Sequence, residues 1–259
     1  MPPIDREFRV ADCPTVKAVL LVAGMSSRLR PLTDHTPKCL LSVAGTPILK
    51  RCVDALRAAG ITEIVAVTGY LEDSITAVLG DWFGGPVTYR RNEIYDQTQN
   101  GASLLCARDV VEGQPFVMLD GDIVFDPEVL IAVVKSEHAD CLALRPANDL
   151  GEEEVKVIPD PADRTLVKRI HVSVPPADAI GESIGIEKFS AATSAVLFQT
   201  IEQRIARYGA KTEYYEKAFD QLCQEGKLAL RAIDVGTLYC AEIDTPEDLA
   251  RVQRELEAR

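Results

Sequence analysis

Between Ala18 and Leu119, short apolar runs alternate with stretches whose apolar residues recur at helical spacing, and that rhythm admits few architectures. Ala18 to Val22 and Ile64 to Val67 are continuous apolar runs, suited to strands buried on both faces of a parallel sheet. Ile48 to Ala59 carries Ile48, Leu49, Cys52, Val53 and Leu56 at helical spacing and closes at Gly60, a residue that ends helices well. Leu71 to Leu79 and Ala102 to Val111 read as further helices, and Val87 to Arg90 and Phe116 to Leu119 as strands. The expected fold class is α/β, a mixed, mostly parallel Rossmann-like sheet with helices on both faces.

Beyond Leu144 the pattern changes. Val155 to Ile158, Leu166 to His171, Ala192 to Phe198, Leu228 to Asp234 and Tyr239 to Ile243 read as strands, and Gln199 to Arg207, Tyr214 to Gln224 and Pro246 to Leu256 as helices. No repeat or low-complexity linker divides the chain. The expectation is an extension over residues 1–14, then a single domain over 15–259, with portions of about 15–144 and 145–259 laid against one sheet.

A chain of 259 residues with 47% hydrophobic content has ample material for a large core. It holds no apolar run of membrane-spanning length, and Met1 to Pro14 lacks the apolar stretch of a secretory signal. A net charge of −12 argues against nucleic acid and anionic membranes as partners. Any polyanion must therefore be gripped by a few local cations, helped by a divalent metal. The seven cysteines are odd in number and show no Cys-x-x-Cys spacing, which points to reduced thiols and a cytoplasmic setting.

The stretch after the first strand supplies such a grip. Ala23 and Gly24 let backbone approach a ligand, Ser26 and Ser27 offer donors, and Arg28 and Lys38 add a fork and a point charge. That set suits a triphosphate. It is neither a P-loop, which needs Gly-Lys-Ser/Thr, nor a dinucleotide fingerprint, which needs three spaced glycines. Asp120-Gly121-Asp122 follows a buried strand, where ligands sit in open α/β sheets, and Asp244 follows another. Magnesium takes oxygens from one or two carboxylates plus phosphates, and Asp122 and Asp244 can form that pair; Asp244 equally suits a helix cap. Thr98, Asn100 and Ser103 lie in a polar approach to a helix, placed to read a base edge.

Ala23, Gly24, Ser27, Arg28, Leu29, Pro31, Thr33, Pro37 and Lys38 together resemble the opening signature of the sugar-phosphate nucleotidyltransferases. Ser26 departs from it, standing where many members have glycine. The resemblance implies a nucleotidyltransferase type A-like fold and a magnesium-dependent transfer in which Arg28 and Lys38 are catalytic and Asp122 and Asp244 hold the metal. Asn92 to Leu104, Gly181 to Ile186 and Tyr214-Tyr215-Glu216 resemble the branch acting on phosphocholine and 2-aminoethylphosphonate, which implies CTP as donor and a small phosphorylated or phosphonate acceptor. Lys156, Lys168, Glu182, Tyr214 and Glu216 are the candidate acceptor contacts, with Tyr214, Tyr215, Phe189 and Tyr239 available for an aromatic cage. Two alternatives stay open: a hexose-1-phosphate nucleotidyltransferase using UTP, dTTP or GTP, and a non-catalytic nucleotide-binding regulatory subunit. A homodimer is left open as well.

Overall fold

The computed structural model describes residues 16–147 and 150–259; the extension expected over 1–14 lies outside them. The chain begins with β1 (Lys17–Val22), a short β2 (Ser42–Val43) and β3 (Thr46–Pro47), then α1 (Ile48–Ala58), β4 (Ile64–Thr68), α2 (Glu72–Phe83) and β5 (Val87–Arg91). Next come α3 (Asn100–Cys106), α4 (Arg108–Val111), β6 (Phe116–Asp120), β7 (Ile123–Phe125), α5 (Pro127–Lys135) and β8 (Cys141–Arg145). The second half adds β9 (Lys156–Asp160), β10 (Asp163–His171), β11 (Gly181–Phe189), α6 (Ala191–Tyr208), α7 (Tyr215–Gln224), β12 (Arg231–Asp234), β13 (Cys240–Glu242) and α8 (Pro246–Glu257).

Nine strands form one mixed sheet in the order β5-β4-β1-β6-β11-β8-β12-β10-β9. β5, β4, β1 and β6 run parallel. β11 then enters antiparallel between β6 and β8. Strands of both halves thus share a single layer, and the C-terminal ends of β1 and β6 lie side by side, with Leu21 opposite Asp120.

The alternation of side chains along the central strands builds two cores. Ala18, Leu20, Val117 and Leu119 face α1, α2 and α5, and Val19, Leu21, Phe116 and Met118 face α3, α6 and α7. Helices therefore cover both faces, as the continuous apolar runs require. A third cluster joins Leu29, Val124, Ile243 and Val252, fastening the first turn to the β7–β13 ribbon and to α8. It ties the turn after β1 to the chain's C-terminal end, and so brings residues some two hundred positions apart to the same mouth of the sheet.

Two expectations are corrected, and one strand is added. Ala192 to Phe198 is not a strand but the first half of α6, because Ser190 caps its start by accepting from the Thr193 amide at 3.2 Å. The helix expected over 102–111 is two, interrupted at Ala107. β11, the strand that knits the two halves, falls where Gly181 and Gly185 masked a strand pattern; both adopt positive φ, at 157° and 71°.

Candidate functional site

The turn after β1 takes a left-handed conformation at Ser26, with φ 50° and ψ 52°. This is the backbone state that glycine adopts without cost, so serine here accepts the strain and keeps the loop's course. Its carbonyl accepts from the Leu29 amide and from the Thr33 hydroxyl, both at 3.0 Å, and Thr33 is buried. Ala23 is buried with its carbonyl held by the Tyr70 amide, whereas Gly24, Ser27 and Arg28 are exposed at the mouth of the turn.

Four of the residues singled out from sequence converge here. The Lys38 ammonium lies 2.8 Å from Asp122 Oδ2 and 2.8 Å from Asp244 Oδ1, and Arg28 reaches Asp244 Oδ2 at 2.8 Å. Glu153 takes the other arm of Arg28 at 2.7 Å. Lys38 is only 9% exposed, and burial alone would lower its pKa; Asp122 and Asp244 outweigh that and raise it. Burial would likewise raise the Asp244 carboxyl, but Lys38 and Arg28 beside it hold it below the usual range. Gly121 lets the strand end pack this closely, since a Cβ there would stand 2.5 Å from Val22 Cγ1.

A third carboxylate, not picked out from sequence, completes the group. Asp122, Glu242 and Asp244 each bring an oxygen within 4.8 Å of the others. Glu242 keeps an exposed surface, yet desolvation of its carboxyl and the charges of Asp122 and Asp244 push it up to about 9. Asp122 Oδ1 is buried and lacks a hydrogen-bond partner. An orphaned carboxylate oxygen, two further oxygen donors and electrostatic crowding fit a hard divalent cation. The spacing of Glu242 and Asp244, two residues apart at the end of a strand, was the sequence signal for this third acid.

Thr98, Asn100 and Ser103 have internal partners. The Asn92 side-chain amide donates to Thr98 Oγ1 at 2.9 Å and to Ser103 Oγ at 3.1 Å, while Asn100 accepts from the Tyr215 amide at 2.9 Å and donates to Glu216 at 3.4 Å. They join the loop before α3 to the start of α7. The acceptor candidates are scattered. Lys156 is buried and donates to the Gly151 and Glu154 carbonyls, Lys168 is exposed on β10, and Glu182 pairs with Arg145 at 2.6 Å. Tyr214 is exposed, with Lys217 5.9 Å above its ring. Glu216 follows Tyr215, whose hydroxyl bonds Asp120, and its Oε2 is buried.

The nine-stranded mixed α/β sheet thus carries two cations and three acids at the mouth of its first turn. Residues 18–184 match the family described as the MobA-like NTP transferase domain, and the chain belongs to that family. It is 29% identical, over 94% of its length, to the CMP-5'-(3-aminopropyl)phosphonate synthase of Streptomyces rubellomurinus, and spans 39% of that relative. It also spans about half of two uridylyltransferase relatives. With the CTP:phosphoglutamine cytidylyltransferase of Campylobacter jejuni it shares 28% identity, over 90% of this chain and 98% of the other. The solved CTP:phosphocholine cytidylyltransferase of Streptococcus pneumoniae has the same fold, with a TM-score of 0.75 at 20% identity over 93% of this chain and 99% of that one. No helix among the described residues is long and apolar enough to cross a membrane.

Proposed function

We propose that the protein is a magnesium-dependent cytidylyltransferase that joins CTP to a small phosphorylated or phosphonate acceptor and releases pyrophosphate. The observation that carries this is the meeting of Arg28 and Lys38 with Asp122 and Asp244 in one charged cluster at the strand ends. Two relatives that match nine-tenths or more of this chain carry CTP or CMP chemistry in their names, which favours cytosine over the uracil and thymine of the sugar-phosphate enzymes. A non-catalytic subunit is disfavoured, since the cationic and acidic halves are both present.

In the reaction an acceptor oxygen forms a bond to the α-phosphorus of CTP in line with the bond that breaks to the β-phosphate bridge. The attacking oxygen is already anionic, so no side-chain base is asked for. His35 is exposed, and His138 and His171 lie partly open to solvent. Asp122 and Asp244, with Glu242 beside them, would hold the magnesium ion, which when bound would supply charge compensation at the phosphates. Lys38 and Arg28, now paired with those acids and with Glu153, exchange them for triphosphate oxygens and stabilise the leaving pyrophosphate. Gly24, Ser26 and Ser27, in the turn beside them, give backbone and hydroxyl donors to the same phosphates.

A cytoplasmic setting belongs to this proposal, supported by six described cysteines that are all free. The test is pyrophosphate release from each of CTP, UTP, dTTP and GTP across amino-alcohol phosphates, aminoalkylphosphonates and sugar phosphates. CTP with an acceptor of the first two kinds should give the highest kcat/KM. Turnover confined to glucose 1-phosphate would overturn the cytidylyl assignment.

A further inference from the structure

A second acidic group lies under the cleft. β6 and β11 run side by side with Glu187 opposite Met118, so Asp120, Gly185 and Glu187 share the sheet face covered by α7. Gly185, at φ 71°, leaves room for Asp120, because a Cβ there would stand 2.5 Å from Asp120 Oδ2. The Tyr215 hydroxyl donates to that oxygen at 2.5 Å. Glu187 is 1% exposed: its Oε1 accepts from the Ser183 hydroxyl at 2.7 Å, and its Oε2 is buried without a partner. Glu216 accepts from Asn100 through Oε1 only, and its Oε2 is buried and unpartnered too. Burial pushes Glu187 up to about 8, with the charge of Glu216 adding to the effect, and pushes Glu216 up to about 7. Lys217, next to Glu216 in sequence, is turned to Glu213 at 3.7 Å instead.

We propose that Glu187 and Glu216 receive the protonated primary amine of the acceptor, which makes the acceptor a short aminoalkyl phosphate or phosphonate. This rests on the cytidylyl-transfer reading and names its substrate class. Two buried carboxylate oxygens without donors are costly unless a ligand supplies N–H groups and positive charge. An –NH3+ group brings three donors, enough for both orphaned oxygens, while Asp120 keeps its bond from Tyr215. A bare metal ion fits less well, since among the described residues only Asp122, Glu242 and Asp244 bring three ligand atoms within 4.8 Å of one another.

A trimethylammonium head has no N–H and asks for aromatic faces. Three of the four candidate rings are committed elsewhere, and the fourth, Tyr214, is exposed with Lys217 above its ring. Phe189 and Tyr215 pack against Phe219 at centroid distances of 5.0 and 5.1 Å, and Tyr239 bonds Glu255 beneath Arg259. Tyr215 turns its hydroxyl, not its face, to the acidic group. Asp120 ends β6 two residues before Asp122 and accepts from Tyr215, the neighbour of Glu216, so the amine and the reacting phosphorus are separated by a short spacer.

The test is calorimetric titration of 2-aminoethylphosphonate, its N,N,N-trimethyl analogue and ethylphosphonate into the full chain, in magnesium buffer with and without a non-hydrolysable CTP analogue. The amine should bind at least about tenfold more tightly than either analogue, and Glu187→Gln and Glu216→Gln should each erase most of that preference, as loss of a charge-assisted hydrogen bond does. Melting curves show that each variant is folded; should one fail, the other carries the same expectation. Equal affinity for the three ligands, binding of none, or an unchanged preference in the folded variants overturns the proposal. Pyrophosphate release is scored separately. Amine-selective binding with no turnover of any nucleotide would refute the transfer reading while leaving the amine site standing.

Discussion

The Lys38 ammonium stands 2.8 Å from Oδ2 of Asp122, in the place where the acidic group needs a positive charge. It also bridges to Asp244, so one lysine neutralises the two acids that would hold a divalent ion. Removing one partner of a buried ion pair leaves the other charge uncompensated. Lys38→Met should therefore lower the melting temperature by about 5 °C in chelator, and millimolar magnesium should restore most of the loss while shifting the wild type little. Differential scanning calorimetry with and without the ion reads this directly. A variant insensitive to magnesium would mean that Lys38 does not stand in for a cation.

In the proposed reaction Asp122 and Asp244 would hold the cation that offsets charge developing at the phosphates. Asp122→Asn and Asp244→Asn should each cut kcat/KM by about 10² to 10³, the scale of losing one electrostatic element of a preorganised site. Their far-ultraviolet spectra should match the wild type. Chelation should abolish turnover and added magnesium should return it.

Ser26 holds positive φ where glycine would do so freely. Ser26→Gly should keep kcat/KM within about threefold and leave the melting temperature unchanged or slightly raised, because the strain relieved is about 1 kcal/mol and is offset by glycine's greater unfolded freedom. Ser26→Val puts a β-branched residue in that region. It should raise the KM for CTP, measured by steady-state kinetics.

The buried Glu187 carboxyl gives a pH dependence of stability. Its folded pKa, about 8 against an ordinary 4.5, lies above the unfolded value, so the native state binds more protons between them. Stability should fall as pH rises through that window. Glu187→Gln lacks this titration, so its melting temperature should gain on that of the wild type between pH 5 and 8, by about 3 °C or more. A constant difference across the series would contradict the burial of an ionisable group.

Much of the fold was written in the chain. The runs at Ala18 to Val22 and Ile64 to Val67 are apolar on both faces because both faces are covered, so pattern and structure agree to within a residue or two. The mixed α/β fold and the family followed from the same residues. What sequence hid depends on distant partners. α6 begins with Ala, Thr, Ser and Val, whose spacing mimics a strand until Ser190 is seen as its cap. β11 is interrupted by Gly185, which leaves room for Asp120, and its register against β8 shifts between Ser183 and Glu187, so its period is broken. Glu187 lies in that same masked strand, and nothing local says that its carboxyl is buried. Pairing of Arg28 with Glu153, and of Lys38 with both acids, was likewise set by folding rather than by spacing.

In the proposed reaction one cleft holds the triphosphate between the cations of the first turn and a metal clasped by two remote acids. A crystal of the protein grown with magnesium and a non-hydrolysable CTP analogue would show whether it does. Triphosphate oxygens should lie within hydrogen-bond reach of Arg28 and Lys38, with a metal ion ligated by Asp122 and Asp244. Nucleotide bound elsewhere, with Lys38 still paired to both aspartates, would contradict the assignment.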